Sequence, residues 1–208
     1  IPDTRKLLGA NIVPKKADIT GAQAWGNMIL SWDWGGWIKP QIDLIAGNNV
    51  GGNCIRMIGE VYGIATGMYT EAFYLARHRQ LADYCASIGV HLYACCSGKG
   101  TPAQVTISND GAVNLMAGYL RMMGEYPNVI GVDVVQESNV VAKPTDANLI
   151  EILSKLRAIT PLPLTASTGE INLASAGTAP WIYSMAQYFD FIDIHNYTYP
   201  VTMQSLDG

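Results

Sequence analysis

Short apolar runs alternate with helix-period segments along the whole chain, and this alternation restricts the fold more than any other feature of the sequence. Leu7 to Val13 (LLGANIV), Asn53 to Ile58 (NCIRMI), Val90 to Cys96 (VHLYACC), Val129 to Val135 (VIGVDVV), Leu162 to Ala166 and Phe189 to Ile194 (FDFIDI) read as six strands. Between them, Lys39 to Asn48, Glu71 to Ile88, Gly111 to Tyr126, Asp146 to Ile159 and Pro180 to Tyr188 read as helices. Gly89 is placed to end the second helix and Pro127 to stop the third, and Asp146 is expected to cap the fourth. Strands that alternate with helices imply a parallel sheet. Apolar runs of this length suit strands covered on both faces. Two architectures satisfy the pattern: a closed barrel or an open doubly wound sheet. No GxGxxG or P-loop follows the first strand, which counts against a nucleotide-binding open sheet.

Composition removes several function classes. The chain has 208 residues, enough for one domain with a sizeable core. Its net charge is -4, without a basic stripe, so no nucleic-acid partner is expected. No apolar run reaches the roughly 18 residues of a membrane span. Cys54, Cys85, Cys95 and Cys96 all fall inside predicted elements and lack CxxC spacing, so they are read as buried thiols, with no metal site among them. The chain starts at Ile1 without a methionine or a signal-peptide pattern, so a preceding segment is expected and the compartment is not read from this end.

In a barrel of this kind the chemistry sits at the C-terminal ends of the strands. The polar residues at those ends are Arg56 and Glu60, Gln136 and Glu137, Thr168 and Glu170, and His195, Asn196 and Tyr197. The loop after the first strand carries Trp25, Trp32, Trp34 and Trp37, whose flat indoles suit stacking on sugar rings, Trp34 being the candidate contact. Each feature also has a structural reading. Glu137 can pair with Arg56 inside the barrel, and the tryptophans can fix a long loop to the domain. Glu60 and Glu170 read as solvated loop residues, and Asp133 and Asp193 as structural acids paired with Lys or Arg of neighbouring strands. His78 has no partner that suggests a role.

Three of these segments carry a family resemblance. GGNCIRM is similar to the second strand of the clan of retaining glycoside hydrolases that includes cellulases and β-mannanases. YPNVIGVDVVQESN resembles the clan's fourth strand, and FDFIDIHNYTYP its sixth; LLGANIVP also resembles its first strand. The resemblance implies an α/β fold, a TIM (β/α)8 barrel represented by its first six strand–helix units and truncated after the sixth strand, as a single domain over 1–208. It implies Glu137 as the acid/base, Arg56, Gln136, His195 and Tyr197 as substrate-binding or positioning residues, and no cofactor. The sequence departs from the pattern at Gln136, where the clan usually has Asn, at Ser138, where it usually has Pro, and at Cys95–Cys96–Ser97, where many members have a His. The clan's nucleophile is a Glu at the end of a seventh strand, past Gly208.

Two functions follow: a retaining hydrolase of a β-linked poly- or oligosaccharide, or a non-catalytic carbohydrate-binding or structural module of an extracellular, cell-surface or virion-associated protein. A phosphate-handling aldolase fits less well, because no lysine ends the fifth or sixth strand to form a Schiff base. Six strands would leave two open edges, so further polypeptide or another chain is expected to complete the barrel.

Overall fold

A computed structural model of the chain describes residues 7–14, 29–47, 50–96, 107–136, 145–168 and 184–193. Five strands form one sheet: β1 (Gly9–Ile12), β2 (Cys54–Met57), β3 (His91–Cys95), β4 (Val129–Asp133) and β5 (Leu164–Thr165). They lie in sequence order, and each neighbouring pair is parallel. A doubly wound sheet reverses direction at a switch point and so breaks sequential order. The order seen here is that of a barrel wound in one direction.

The helices are α1 (Lys39–Ala46), a one-turn α2 (Tyr62–Ala65), α3 (Glu71–Ser87), α4 (Asn109–Met123) and α5 (Asp146–Arg157). A π-helical turn, Trp34–Ile38, leads into α1. Each long helix starts at a hydroxyl side chain that accepts from an otherwise orphaned amide. Thr70 accepts from the Phe73 amide, Ser108 from Gly111 and Thr145 from Asn148. The cap of α5 is therefore Thr145 and not Asp146. Thr145 holds the extended backbone that a cap requires, and Asp146 falls in the first turn, where its charge favours the helix dipole. Gly89 ends α3 as its position implies, with φ +71. The third helix closes earlier than Pro127 suggests, at Met123, with Gly124 as its C-cap.

Strand periodicity splits the sheet into two unlike faces. One carries Ile55, Met57, Leu92, Ala94, Val132 and Leu164, which join Leu81, Met116, Leu120, Leu149, Ile152 and Leu156 from the helices in one core. The other carries Arg56, Tyr93, Cys95 and Asp133, which share register positions across β2, β3 and β4. Barrel interiors are usually filled by branched apolar side chains. Here that face is polar and charged.

The sixth strand expected over Phe189 to Ile194 is not a strand among its described residues, 189–193. The segment still runs beside β5, but side chains supply part of the pairing. The Leu164 amide donates to Asp190 Oδ2 at 2.8 Å, and Thr165 Oγ1 donates to the Phe191 carbonyl at 2.7 Å. Main-chain bonds join Asp190 N to Leu164 O (2.9 Å) and Thr168 N to Asp193 O (3.0 Å). The described part of the helix expected over Pro180 to Tyr188 ends in a 3-10 turn, Ala186–Tyr188.

Candidate active site

The polar face is organised by Arg56. Its side chain starts on β2, passes under Tyr93 of β3 and reaches β4. Its Cζ lies 5.3 Å from the Tyr93 ring centre, and its Nη2 donates to Asp133 Oδ2 at 2.7 Å. Its Nε lies 3.7 Å from Asp193 Oδ2, which also accepts from the Tyr93 hydroxyl at 2.5 Å. Arg56 is 6% exposed and Asp133 fully buried. A buried guanidinium persists only when paired, and here two carboxylates and an aromatic face surround it. Burial pushes the Arg56 pKa down, but Cys95, Asp133, Tyr93 and Asp193 more than offset this, and the group stays charged. Burial, reinforced by Asp133 and Asp193, holds the Tyr93 phenol well above its ordinary range, so Tyr93 is a neutral donor.

Asp133 is saturated with donors. Its Oδ2 accepts from Arg56 Nη2 and from Ser167 Oγ at 2.6 Å. Its Oδ1 accepts from the Ser167 amide at 3.0 Å and the Val135 amide at 3.2 Å. One carboxylate therefore ties β2 to β4, and both to the segment after β5. It also fixes the main chain immediately before Gln136. Cys95 stands beside it, with Sγ 3.9 Å from Asp133 Oδ2 and 3.8 Å from Gln136 Oε1. Arg56 Nη1 is buried and makes no hydrogen bond among the described residues. A cavity of about 490 Å³ meets this cluster at Tyr93 and Asp193 and is otherwise lined by residues near the starts of the strands, among them Leu7, Ile130 and Pro163.

Of the residues expected at the site, Arg56 and Gln136 are brought to one cluster. Glu137, His195 and Tyr197 lie outside the described residues, as do Glu170, Asn196 and Trp25. Trp34 is not brought to this cluster. It packs edge-on against Tyr84 in the last turn of α3, the turn that feeds the start of β3. The neighbouring indoles act as anchors: Trp32 Nε1 donates to Gln80 Oε1 at 3.1 Å and Trp37 Nε1 to the Val13 carbonyl at 3.0 Å. Glu60, expected to be solvated, is 4% exposed, and its main-chain carbonyl accepts from the Tyr69 hydroxyl at 2.6 Å. The acids Asp133 and Asp193 do pair with an arginine, but Asp133 does so across the intervening β3 and Asp193 from the segment that follows β5. Cys95 is read from the sequence only as a buried thiol and a departure from the clan's pattern, and Tyr93 and Ser167 are not among the expected residues, although a tyrosine and an acid at alternate positions of apolar strands signal a polar inner face. All four cysteines are free and buried. Among the described residues no group of His, Cys, Asp or Glu is placed to hold a metal ion.

His78 lies on the helix side of the sheet. It is fully buried among Trp32, Tyr74 and Tyr119, with Nδ1 donating to the Tyr74 carbonyl at 3.0 Å. Burial lowers its pKa to about 4, so it is neutral.

No protein-family model matches the sequence, and no curated protein matches it. Solved structures do. An exo-β-1,4-mannosidase from Opitutaceae bacterium strain TAV5 matches with a TM-score of 0.56 at 18% identity, over 78% of this chain and 32% of that one. A β-1,4-mannanase from the sea hare Aplysia kurodai matches at 0.56 and 11% identity, over 93% of this chain and 72% of that one. An endo-1,4-β-mannanase from Eisenia fetida matches at 0.54 and 10% identity, over 93% and 69%. This chain thus spans about a third of the length of the mannosidase. The fold is that of the barrel glycoside hydrolases, the clan the sequence resembles.

Proposed function

We propose that the chain forms the first part of a retaining glycoside hydrolase acting on a β-linked poly- or oligosaccharide. Retaining hydrolysis needs two carboxyl groups about 5–5.5 Å apart. Glu137, the residue after Gln136, is the acid/base: it protonates the glycosidic oxygen as a carboxylate attacks the anomeric carbon, then takes a proton from the incoming water. The resemblance assigns the attacking carboxylate to the end of a seventh strand, beyond the residues of this sequence. The observation that carries the reading is Arg56. Its guanidinium is held in the barrel by Asp133, Asp193 and Tyr93, yet it keeps a buried donor, Nη1, with no hydrogen bond among the described residues. A fixed donor of this kind suits an anionic oxygen in the site. His195 and Tyr197, on the sixth segment, are assigned to substrate and nucleophile positioning.

The likeness to mannosidases and mannanases makes β-1,4-linked mannan the first substrate to try. The full-length protein is expected to release reducing sugar from mannan or a related β-1,4-glycan, and Glu137→Gln is expected to lower the rate by 100-fold or more, a loss of the order typical for a missing acid or base. Full activity in Glu137→Gln would remove it from the mechanism. A second reading, a non-catalytic carbohydrate-binding module, draws on the same arginine: the carboxylates of Asp133 and Asp193 already lie 2.7 and 3.7 Å from it, so its charge is balanced without a catalytic partner. Oligosaccharide binding without hydrolysis would favour that reading.

A further inference from the structure

We infer that Cys95 is a positioning residue that sets the orientation of the Gln136 carboxamide, so that Gln136 presents an N–H donor to a ligand group that accepts a hydrogen bond. The inference deepens the carbohydrate reading above and rests on it for the identity of that ligand.

The Cys95 thiol has one proton and two acceptors within sulfur hydrogen-bond range, Asp133 Oδ2 at 3.9 Å and Gln136 Oε1 at 3.8 Å. Asp133 Oδ2 is occupied twice, by Arg56 Nη2 at 2.7 Å and by Ser167 Oγ at 2.6 Å. Both donors are closer and stronger than a thiol. The thiol proton therefore goes to Gln136 Oε1. Cys95 is fully buried, and burial together with the Asp133 charge holds it in the protonated form that can donate. A carboxamide whose oxygen is engaged has its NH2 turned the other way. Gln136 is half-buried just after β4, which leaves room for that NH2 to meet a ligand.

The half-buried Gln136 side chain can close on a shorter donor, whereas Asp133, held by four donors, cannot move. The main chain under Gln136 is fixed by the same acid, through the Val135 amide. The side chain is thus pinned at two points, its base by Asp133 and its oxygen by Cys95. A ligand facing Gln136 meets a donor, and an acceptor-bearing group such as a sugar hydroxyl oxygen satisfies it.

The test uses the full-length protein with Cys95→Ala and Cys95→Ser, each checked by thermal melting. In unliganded wild type and Cys95→Ser, which keeps a donor, the Gln136 side-chain amide is expected as one resolved pair of proton–nitrogen NMR signals. In Cys95→Ala the pair is expected to shift together and broaden as the carboxamide samples both orientations. The affinity for β-1,4-mannotetraose is expected to fall about five-fold in Cys95→Ala, the usual scale for one neutral hydrogen bond, and to be restored in Cys95→Ser. An unchanged Gln136 signature in Cys95→Ala overturns the inference. If the signature changes but no variant binds mannotetraose, the orienting role of Cys95 stands and the mannan assignment of the site fails.

Discussion

The two faces of the sheet obey different rules. On the helix side, strands and helices share an apolar core in which each side chain contributes through burial and packing. On the inner side, one guanidinium, two carboxylates, a phenol, a hydroxyl and a thiol interlock within two residue layers. An apolar face tolerates exchange of one hydrophobe for another of similar size. A buried charge network does not, because removing one member leaves its partner uncompensated in a medium that solvates it poorly. The inner face is therefore the dearer one to build, and it is built where a barrel carries its site.

The largest effect that sharpens this contrast lies at Asp133. Asp133→Ala leaves Arg56 buried with a broken pair, and urea unfolding should show a loss of about 3–5 kcal/mol. Replacing both partners, Arg56→Met with Asp133→Leu, should recover the part of that loss due to the unpaired arginine, not the part due to the Val135 and Ser167 donors, while removing any ligand binding. Equal stability of the single and double variants would contradict the pairing. Next is the apolar face: Leu120→Ala, fully buried on α4, should cost about 2–5 kcal/mol with no change in ligand affinity. A change in affinity there would blur the division of labour between the faces.

The pH dependence comes third and belongs to the helix side. The ordinary His pKa of 6.5 falls to about 4 for His78 in the fold. Between these values the unfolded chain takes up a proton that the folded chain refuses. Stability is therefore kept above pH 6.5 and falls as the pH drops toward 4, by up to about 3 kcal/mol. His78→Phe should flatten this part of the stability profile. The smallest effect is Thr145→Ala, which removes the α5 cap and should cost about 1 kcal/mol, read from the shift in unfolding midpoint.

How much of this was legible follows from how local each signal is. Strand order and helix placement came through, because apolar periodicity and terminators such as Gly89 act within a few residues. Arg56 and Gln136 came through as strand-end polar residues. The partners of Arg56 did not. Asp133 is 77 residues away in sequence, and nothing local distinguishes an acid paired across an intervening strand from one paired with its neighbour. Glu60 was misjudged for a similar reason: a loop carboxylate looks solvated from the sequence, and its 4% exposure is set by tertiary packing. The sixth strand illustrates a subtler limit. Phe189 to Ile194 has strand composition, but Asp190 and Thr165 place side-chain atoms where ladder bonds would form. Trp34 shows that an aromatic-rich loop beside a site need not face it, since edge-on packing against Tyr84 gives its ring a place on the helix layer.

The most direct measurement is to incubate the full-length protein with β-1,4-manno-oligosaccharides and follow the anomeric proton signals from the first turnover. The β-anomer is expected to appear first and mutarotate later, and neither signal is expected to grow with Glu137→Gln. First appearance of the α-anomer, or turnover by Glu137→Gln at the wild-type rate, would contradict a retaining mechanism built on this site.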